Sequence, residues 1–175
     1  MLQKKLKSGI RDVPDFPKPG ILFKDITPIL HNAQLCGEIV NVFSDYCKDK
    51  KINAIVGVES RGFLFGFALA NKLNIPFVLV RKAGKLPYKT ISYEYDLEYG
   101  SAKVEMQVDE IQPGWNVLIH DDLLATGGTA EAAAKLIQMQ KGNVAGFAFV
   151  VELEFLKGKE RLNKYSENII SLVNY

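Results

Sequence analysis

Hydrophobic positions along this chain follow two spacings that alternate from one end to the other. Three stretches have the apolar spacing or the composition of helices, residues 33–48, 62–73 and 130–137. Four short apolar runs are typical of buried strands, residues 53–58, 76–81, 116–121 and 143–153. Strands that alternate with helices predict an α/β fold, namely a mostly parallel, doubly wound sheet flanked by helices. The ligand site of such a sheet lies at the carboxyl ends of its strands.

Two parts of the chain depart from this pattern. Residues 90–97 and 104–108 alternate apolar and polar side chains on either side of Gly100-Ser101, which predicts an antiparallel β-ribbon. Four prolines precede the first predicted helix and should break up regular structure there, so we expect an irregular hood over the ligand edge of the sheet. The basic stretch before them, residues 1–7, reads as a solvated segment. We therefore expect a single domain over residues 1–175, with a hood at 1–32, a core at 33–156 and an extension at 157–175.

Composition narrows the class of protein. The 175 residues are 47% hydrophobic, which is enough for one domain with a substantial core. The net charge of +2 is too small to indicate nucleic-acid binding. No apolar stretch is long enough for a membrane span, and the first residues lack the apolar core of a secretory signal. Cys36 and Cys47 lie three helical turns apart, too far for a disulfide. We expect two reduced thiols and a cytoplasmic location.

The stretch from Val117 to Thr129 carries the most chemistry. An apolar strand leads into Asp121 and Asp122, and a small glycine-containing turn then opens a helix. Backbone N–H groups and the helix dipole converge at such a turn, where a phosphate can bind. The paired carboxylates can accept hydrogen bonds from sugar hydroxyls or anchor a hydrated cation. An ordinary turn between a strand and a helix is the alternative, but it leaves two adjacent like charges unexplained. The pattern indicates a phosphorylated sugar.

These thirteen positions closely resemble the phosphoribosyl pyrophosphate (PRPP) signature of the type I phosphoribosyltransferases. The resemblance implies that Asp121 and Asp122 bind the ribose hydroxyls and help to stabilise positive charge during catalysis. It implies a 5-phosphate site that is formed by the loop Ala125, Thr126, Gly127, Gly128 and Thr129. His120 stands where the family usually has an aliphatic residue, and we assign it no role.

Two further loops match the family at the same predicted sheet edge. Gly57-Val-Glu-Ser-Arg-Gly-Phe63 corresponds to its pyrophosphate loop, which implies that Glu59, Ser60 and Arg61 bind pyrophosphate and predicts a cis peptide bond at Glu59–Ser60. Arg81-Lys-Ala-Gly-Lys-Leu-Pro87 resembles the matching segment of the adenine phosphoribosyltransferases. There Lys85 would lie near the pyrophosphate, and Arg81 would act across the interface of a homodimer. Mg²⁺ would accompany PRPP without direct protein ligands, or with water between the ion and Asp121 or Asp122.

Two motifs resemble the adenine-specific members of the family. Leu97-Glu-Tyr-Gly100 matches a mobile lid, in which Glu98 is the candidate acid or base for the purine and Tyr99 a gate residue. Phe16–Pro28 nearly matches their hood, with Lys24 where many members have Arg. The resemblance implies that Phe23 stacks on adenine, that the main chain of Leu22 and Lys24 reads its edge, and that Leu153 covers the other face.

The reaction expected from this resemblance joins adenine to PRPP and yields AMP and pyrophosphate, a step of purine salvage. Two alternatives stay open. One is a phosphoribosyltransferase that uses a 6-oxopurine. The other is a transcriptional regulator of the same fold that binds PRPP, although about thirty residues before the core are too few for an added winged helix, and the charge is near neutral.

Overall fold

A computed structural model describes residues 1–96 and 100–175. Its helices within these ranges are α1 Leu2–Gly9, α2 Thr27–Leu30, α3 Ala33–Cys47, α4 Gly62–Leu73, α5 Gly128–Met139 and α6 Gly158–Leu162, with a 3₁₀ turn at Glu154–Leu156. The strands are β1 Arg11–Pro14, β2 Leu22–Asp25, β3 Ala54–Val58, β4 Phe77–Lys82, β5 Thr90–Asp96, β6 Ser101–Gln107, β7 Asn116–Leu124, β8 Asn143–Glu152 and β9 Ile169–Asn174. In these ranges no helix is both long and apolar enough to cross a membrane.

Seven of the described strands form the main sheet in the order β5-β6-β4-β3-β7-β8-β9. Five of these strands run parallel to one another, β4, β3, β7, β8 and β9. The antiparallel ribbon of β5 and β6 joins the sheet along β4. Helix α5 packs on one face, and α1, α3 and α4 cover the other. The predicted fold class and the predicted ribbon are therefore confirmed. The register of β3 between β4 and β7 places the ends of β3 and β7 at a switch point of the sheet, where α/β proteins bind their ligands.

The prediction of an irregular, solvated N-terminus is wrong. The first thirty residues contain α1, an antiparallel pair of β1 and β2, and α2, and Leu6 is fully buried against the main core. The prolines do not prevent these elements because of where they lie. Pro14 ends β1, Pro28 lies in the first turn of α2, and the other two occupy the connection between β1 and β2. Proline is tolerated at strand ends and in the first turn of a helix.

The last twenty residues complete the sheet. Strand β9 pairs in parallel with β8, and α6 packs against α5 close to the turn that follows β7. The sequence did not predict either element, because α6 has only five residues and β9 is a half-buried edge strand with little period-two contrast. The position of α6 matters for the candidate site, because Gly158 lies against Ala125 in the turn that follows β7.

Candidate active site

The two aspartates lie within β7, not at its end. The strand continues through Leu124 because it stays paired with β8, as Leu123 with Val151. Its other neighbour, β3, ends earlier, so Asp121 and Asp122 face the loop that follows β3. Burial raises the pKa of both carboxyls; the neighbouring Asp122 raises that of Asp121 further, whereas the charge of Arg61 opposes the rise at Asp122. A site that holds two such groups favours a cation or a hydroxyl-rich ligand.

Arg61 joins this acidic pair to the hood. Its Nε lies 2.7 Å from Oδ2 of Asp122, and its guanidinium carbon lies 4.8 Å from the ring centroid of Phe23. Helix α4 begins at the next residue, Gly62, where a Cβ would lie 2.9 Å from Oδ1 of Asp121. Glycine therefore allows the first turn of α4 to approach the aspartates. This contact brings together three segments that are far apart in the sequence.

Two of the three cations predicted for pyrophosphate, Arg81 and Lys85, converge on Glu59. Lys85 Nζ donates to its carboxylate at 2.7 Å, Arg81 donates through Nε and Nη2 at 3.3 Å each, and the N–H of Lys82 donates at 2.9 Å. Burial alone would raise the pKa of Glu59, but these hydrogen bonds outweigh it and lower the pKa to about 2. The predicted cis bond between Glu59 and Ser60 is present. The Glu59 carboxylate therefore orders the cations of this loop.

A second carboxylate, which the sequence did not single out, holds the same basic loop. Glu105 on β6 is buried and accepts hydrogen bonds from the N–H groups of Lys85 and Leu86, at 2.9 and 2.8 Å. The hydroxyl of Thr90 also donates to it. Only the pairing of β6 with β4 brings Glu105 to this loop, so its position in the sequence carried no signal.

The predicted phosphate loop surrounds a small cavity. The lining runs from Asp121 through Thr129 to Ala130, and the volume is about 70 Å³. Gly127 has a φ of +80° and precedes the first residue of α5, so the loop turns the helix N-terminus toward the cavity. The hydroxyl of Tyr95, on the ribbon, lies 3.0 Å from Oγ1 of Thr129. The ribbon is thus tied to the loop.

Gly158 of α6 packs against the opposite side of this loop. A Cβ at Gly158 would lie 2.3 Å from the carbonyl oxygen of Ala125, and one at Gly127 would lie 2.9 Å from the carbonyl oxygen of Gly158. Next to them Arg161 pairs with Glu131 in the first turn of α5 at 2.8 Å. This close packing, which no sequence pattern indicated, supports the shape of the phosphate loop.

The hood places its predicted residues beside Arg61. Phe23 is half-buried and makes an edge contact with Phe16, while Leu22 is exposed. The side chain of Lys24 turns away, donating to Asp12 at 2.7 Å. Leu153 follows β8 and donates its N–H to the carbonyl of Leu124 at 2.9 Å. A main-chain role for Lys24 agrees with this geometry, because its side chain is already bound elsewhere.

Two predicted site residues, Glu98 and Tyr99, lie outside the described residues. His120, to which we assigned no role, is fully buried, with its ring 5.2 Å from that of Phe43. Burial lowers the pKa of His120 to about 4, so the imidazole is neutral at physiological pH. In residues 1–96 and 100–175 no three His, Cys, Asp or Glu side chains form a group that could hold a metal ion.

The loop predicted to bind phosphate, the acidic pair and the cationic loop thus lie at one edge of the sheet, near the carboxyl ends of its parallel strands. The chain matches the family described as "Phosphoribosyl transferase domain" over residues 24–173, and it belongs to that family.

Comparisons over the full length show which members of this family the chain resembles. The chain is 51% identical to the adenine phosphoribosyltransferase of Cytophaga hutchinsonii, covering all of this chain and 97% of the relative. The crystal structure of the enzyme from Thermoanaerobacter pseudethanolicus superposes with a TM-score of 0.95 at 46% identity, with both chains fully covered. The Saccharomyces cerevisiae enzyme, complexed with an imino-altritol bisphosphate and adenine, gives 0.90 at 42% identity over 98% of each chain. Within the family, the chain is an adenine phosphoribosyltransferase.

Proposed function

We propose that the residues described above carry out the transfer of the 5-phosphoribosyl group of PRPP to N9 of adenine, which yields AMP and pyrophosphate. One observation carries the proposal: Arg61 contacts Asp122 of the sugar site and Phe23 of the hood at once. The residues proposed for the donor and for the base therefore meet at one point. Such proximity is what a transfer between two bound substrates requires.

In this proposal the loop from Ala125 to Thr129 binds the 5-phosphate through its N–H groups and the two threonine hydroxyls. Asp121 and Asp122 accept hydrogen bonds from the 2- and 3-hydroxyls of the ribose. They also face the positive charge that develops on the sugar as pyrophosphate leaves. Their raised pKa values favour this role, because a buried acidic pair is stabilised when positive charge appears beside it.

The leaving pyrophosphate is bound by Arg61, Arg81, Lys85 and the main chain at Glu59–Ser60. Before the substrate binds, Glu59 holds Arg81 and Lys85 at the sheet edge through its carboxylate. A diphosphate competes with that carboxylate for the same donors. Charged side chains that are already positioned lose less entropy when the anion binds.

Adenine lies between Phe23 and Leu153, and its edge pairs with the main chain of Leu22 and Lys24. A backbone carbonyl accepts from the 6-amino group while a backbone N–H donates to N1. Hypoxanthine reverses both polarities and would leave buried groups unpaired, at about 1–3 kcal/mol for each. Glu98 handles the purine proton, and Tyr99 closes the lid that excludes water.

Mg²⁺ binds together with PRPP in this proposal. Oxygen donors from the buried Asp122 and the half-buried Asp121 fit a hard divalent cation. The described residues provide no group of three ligands, so the oxygens of the diphosphate and the ribose hold most of its coordination sphere. The ion would neutralise charge on the diphosphate, and Asp121 and Asp122 would reach it through water.

Steady-state rates with adenine, hypoxanthine and guanine, each with and without Mg²⁺, test the proposal. We expect PRPP-dependent formation of AMP from adenine, a much lower kcat/KM with either 6-oxopurine, and loss of turnover when the ion is chelated. Comparable rates with hypoxanthine would refute the assignment of the hood residues. Full activity in a chelator would refute the role of Mg²⁺.

A homodimer is the assembly we propose. Two large apolar side chains of α4, Leu64 and Phe67, are 45% and 61% exposed, one helical turn apart. Exposed apolar side chains that lie side by side are typical of an interface. Light scattering should give twice the mass of one chain for the wild-type protein. The Phe67→Glu variant should give the mass of a single chain. A monomeric wild-type protein would contradict this assembly.

We also propose a cytoplasmic location. Cys36 and Cys47 are both free thiols, as the helical spacing predicted, and a reducing compartment keeps thiols in that state. Cell fractionation followed by an adenine-dependent assay should find the activity in the soluble cytoplasmic fraction. Activity in an extracellular or membrane fraction would contradict it.

A further inference from the structure

The two walls proposed for the adenine pocket come from opposite ends of the chain. Phe23 lies on β2 in the hood, and Leu153 follows β8 in the main sheet. The distance between them must be kept constant if a planar base is to fit. The residue after β9, Tyr175, contacts both of these segments.

Its ring contacts the hood through Lys24. The Nζ of Lys24 lies 3.9 Å from the centroid of the Tyr175 ring and also donates to Asp12 at 2.7 Å. The Lys24 side chain is only 9% exposed, and Lys7 of α1 approaches the same ring at 5.2 Å. A cation over an aromatic face is attracted more strongly when water is excluded. The contact therefore joins Tyr175 to the residue that follows Phe23.

Its main chain contacts the other wall. The N–H of Tyr175 donates to the carbonyl of Glu152, and the N–H of Glu154 donates to the carbonyl of Tyr175, both at 2.9 Å. These two bonds stand on either side of Leu153. The backbone of Tyr175 is thus bonded to the residues on either side of Leu153, and its ring contacts the residue that follows Phe23, so a single residue contacts both segments.

We propose that Tyr175 is a positioning residue that sets the spacing of Phe23 and Leu153 and thereby the affinity and selectivity for adenine. The inference rests on the proposed function, since it assumes that these two side chains enclose the base. Tyr175 does not itself touch the substrate. It acts through Lys24, whose main chain reads the edge of the purine while its side chain lies on the ring.

Substitution of the ring separates this role from the backbone contacts. Tyr175→Ala keeps both main-chain bonds and removes the ring, so the KM for adenine should rise about tenfold, while the KM for PRPP stays within about twofold. The preference for adenine over hypoxanthine should fall in the same variant. Tyr175→Phe retains the aromatic face and should remain close to wild type in all three quantities.

Lys24→Met should reproduce the effect of Tyr175→Ala, and the double variant should be no worse than the more impaired single one, because both changes remove the same contact. Lys50→Met is the matched control. Its Nζ lies 3.9 Å from the centroid of the Tyr46 ring, away from the hood, and its loss should leave both KM values unchanged.

Thermal unfolding of each variant distinguishes positioning from stability. Equal increases of the KM for adenine and for PRPP, or a Tyr175→Phe variant as impaired as Tyr175→Ala, would overturn the inference. If Tyr175→Ala does not fold, the kinetics of Lys24→Met and Tyr175→Phe still test the role of Tyr175. A wild-type protein that does not convert adenine would refute the proposed function itself, whereas normal adenine kinetics in Lys24→Met would refute only the role of Tyr175.

Discussion

Replacement of Gly158 by alanine should damage the phosphate loop from a distance. Gly158 opens α6 and lies against Ala125, so its added methyl group would meet the carbonyl oxygen of Ala125 at 2.3 Å and Cδ1 of Leu124 at 2.8 Å. Its φ is not in the left-handed region, and alanine can adopt the same backbone conformation. The effect is therefore one of space alone.

The size of the effect of Gly158→Ala can be worked out from these distances. A carbon and a carbonyl oxygen approach to about 3.3 Å, so Ala125 and Gly158 must separate by roughly 1 Å. Overpacking of this kind lowers the free energy of unfolding by about 1–3 kcal/mol. A displacement of about 1 Å in a binding loop can also reduce kcat/KM by as much as about 100-fold. We expect the loss to fall on PRPP, because Ala125 belongs to the phosphate loop.

Urea unfolding and steady-state kinetics measure both effects. Gly37→Ala is the matched control, since Gly37 lies in the exposed part of α3 and a Cβ there meets nothing within 4 Å. It should raise the free energy of unfolding by about 0.5–1 kcal/mol and leave the kinetics unchanged. A Gly158→Ala variant with wild-type stability and an unchanged KM for PRPP would show that the loop and α6 do not constrain each other.

Three further predictions concern the acidic groups. Asp121→Asn combined with Asp122→Asn should abolish turnover while circular dichroism shows an intact fold; near-normal activity would mean that these residues do not bind the ribose. Glu98→Gln should lower kcat more than it weakens adenine binding, and an unchanged kcat would refute a catalytic role for Glu98. The pKa of Glu59 is lowered from 4.5 to about 2, so its contribution to stability is complete above pH 4.5 and is lost as the pH falls through 2. Glu59→Gln should therefore be less stable than wild type at neutral pH and lose less stability across that window, and parallel pH profiles from urea unfolding would refute the assignment.

Local sequence determined the central elements of the fold. Helices are indicated by the apolar spacing over residues 33–48 and 62–73, and buried strands by the short apolar runs elsewhere. These patterns are sufficient because side chains repeat about every 3.6 residues in a helix and every two residues in a strand. The motif around Asp121 predicted a donor site in the same way, since a strand, a turn and a helix N-terminus are adjacent in the chain. Helix α4 was predicted at its observed bounds.

Tertiary structure decided what these segments contact. The hood was predicted as irregular, yet α1 buries Leu6 and β1 pairs with β2, because burial against the main core stabilises elements whose own sequence is interrupted by proline. The strand β7 extends past its two aspartates for a similar reason: pairing with β8 and the charge of Arg61 offset their poor strand propensity.

Tertiary structure also decided which residues support the candidate site. Glu105 beneath the basic loop, Gly158 behind the phosphate loop and Tyr175 behind the hood are each far in sequence from the residues they hold. No local pattern marks such residues, because a buried carboxylate, a small side chain or an aromatic ring acquires its role only from the partner that folding brings to it. The sequence by itself determined the chemistry of the two substrates, and the fold alone decided which residues keep that chemistry in place.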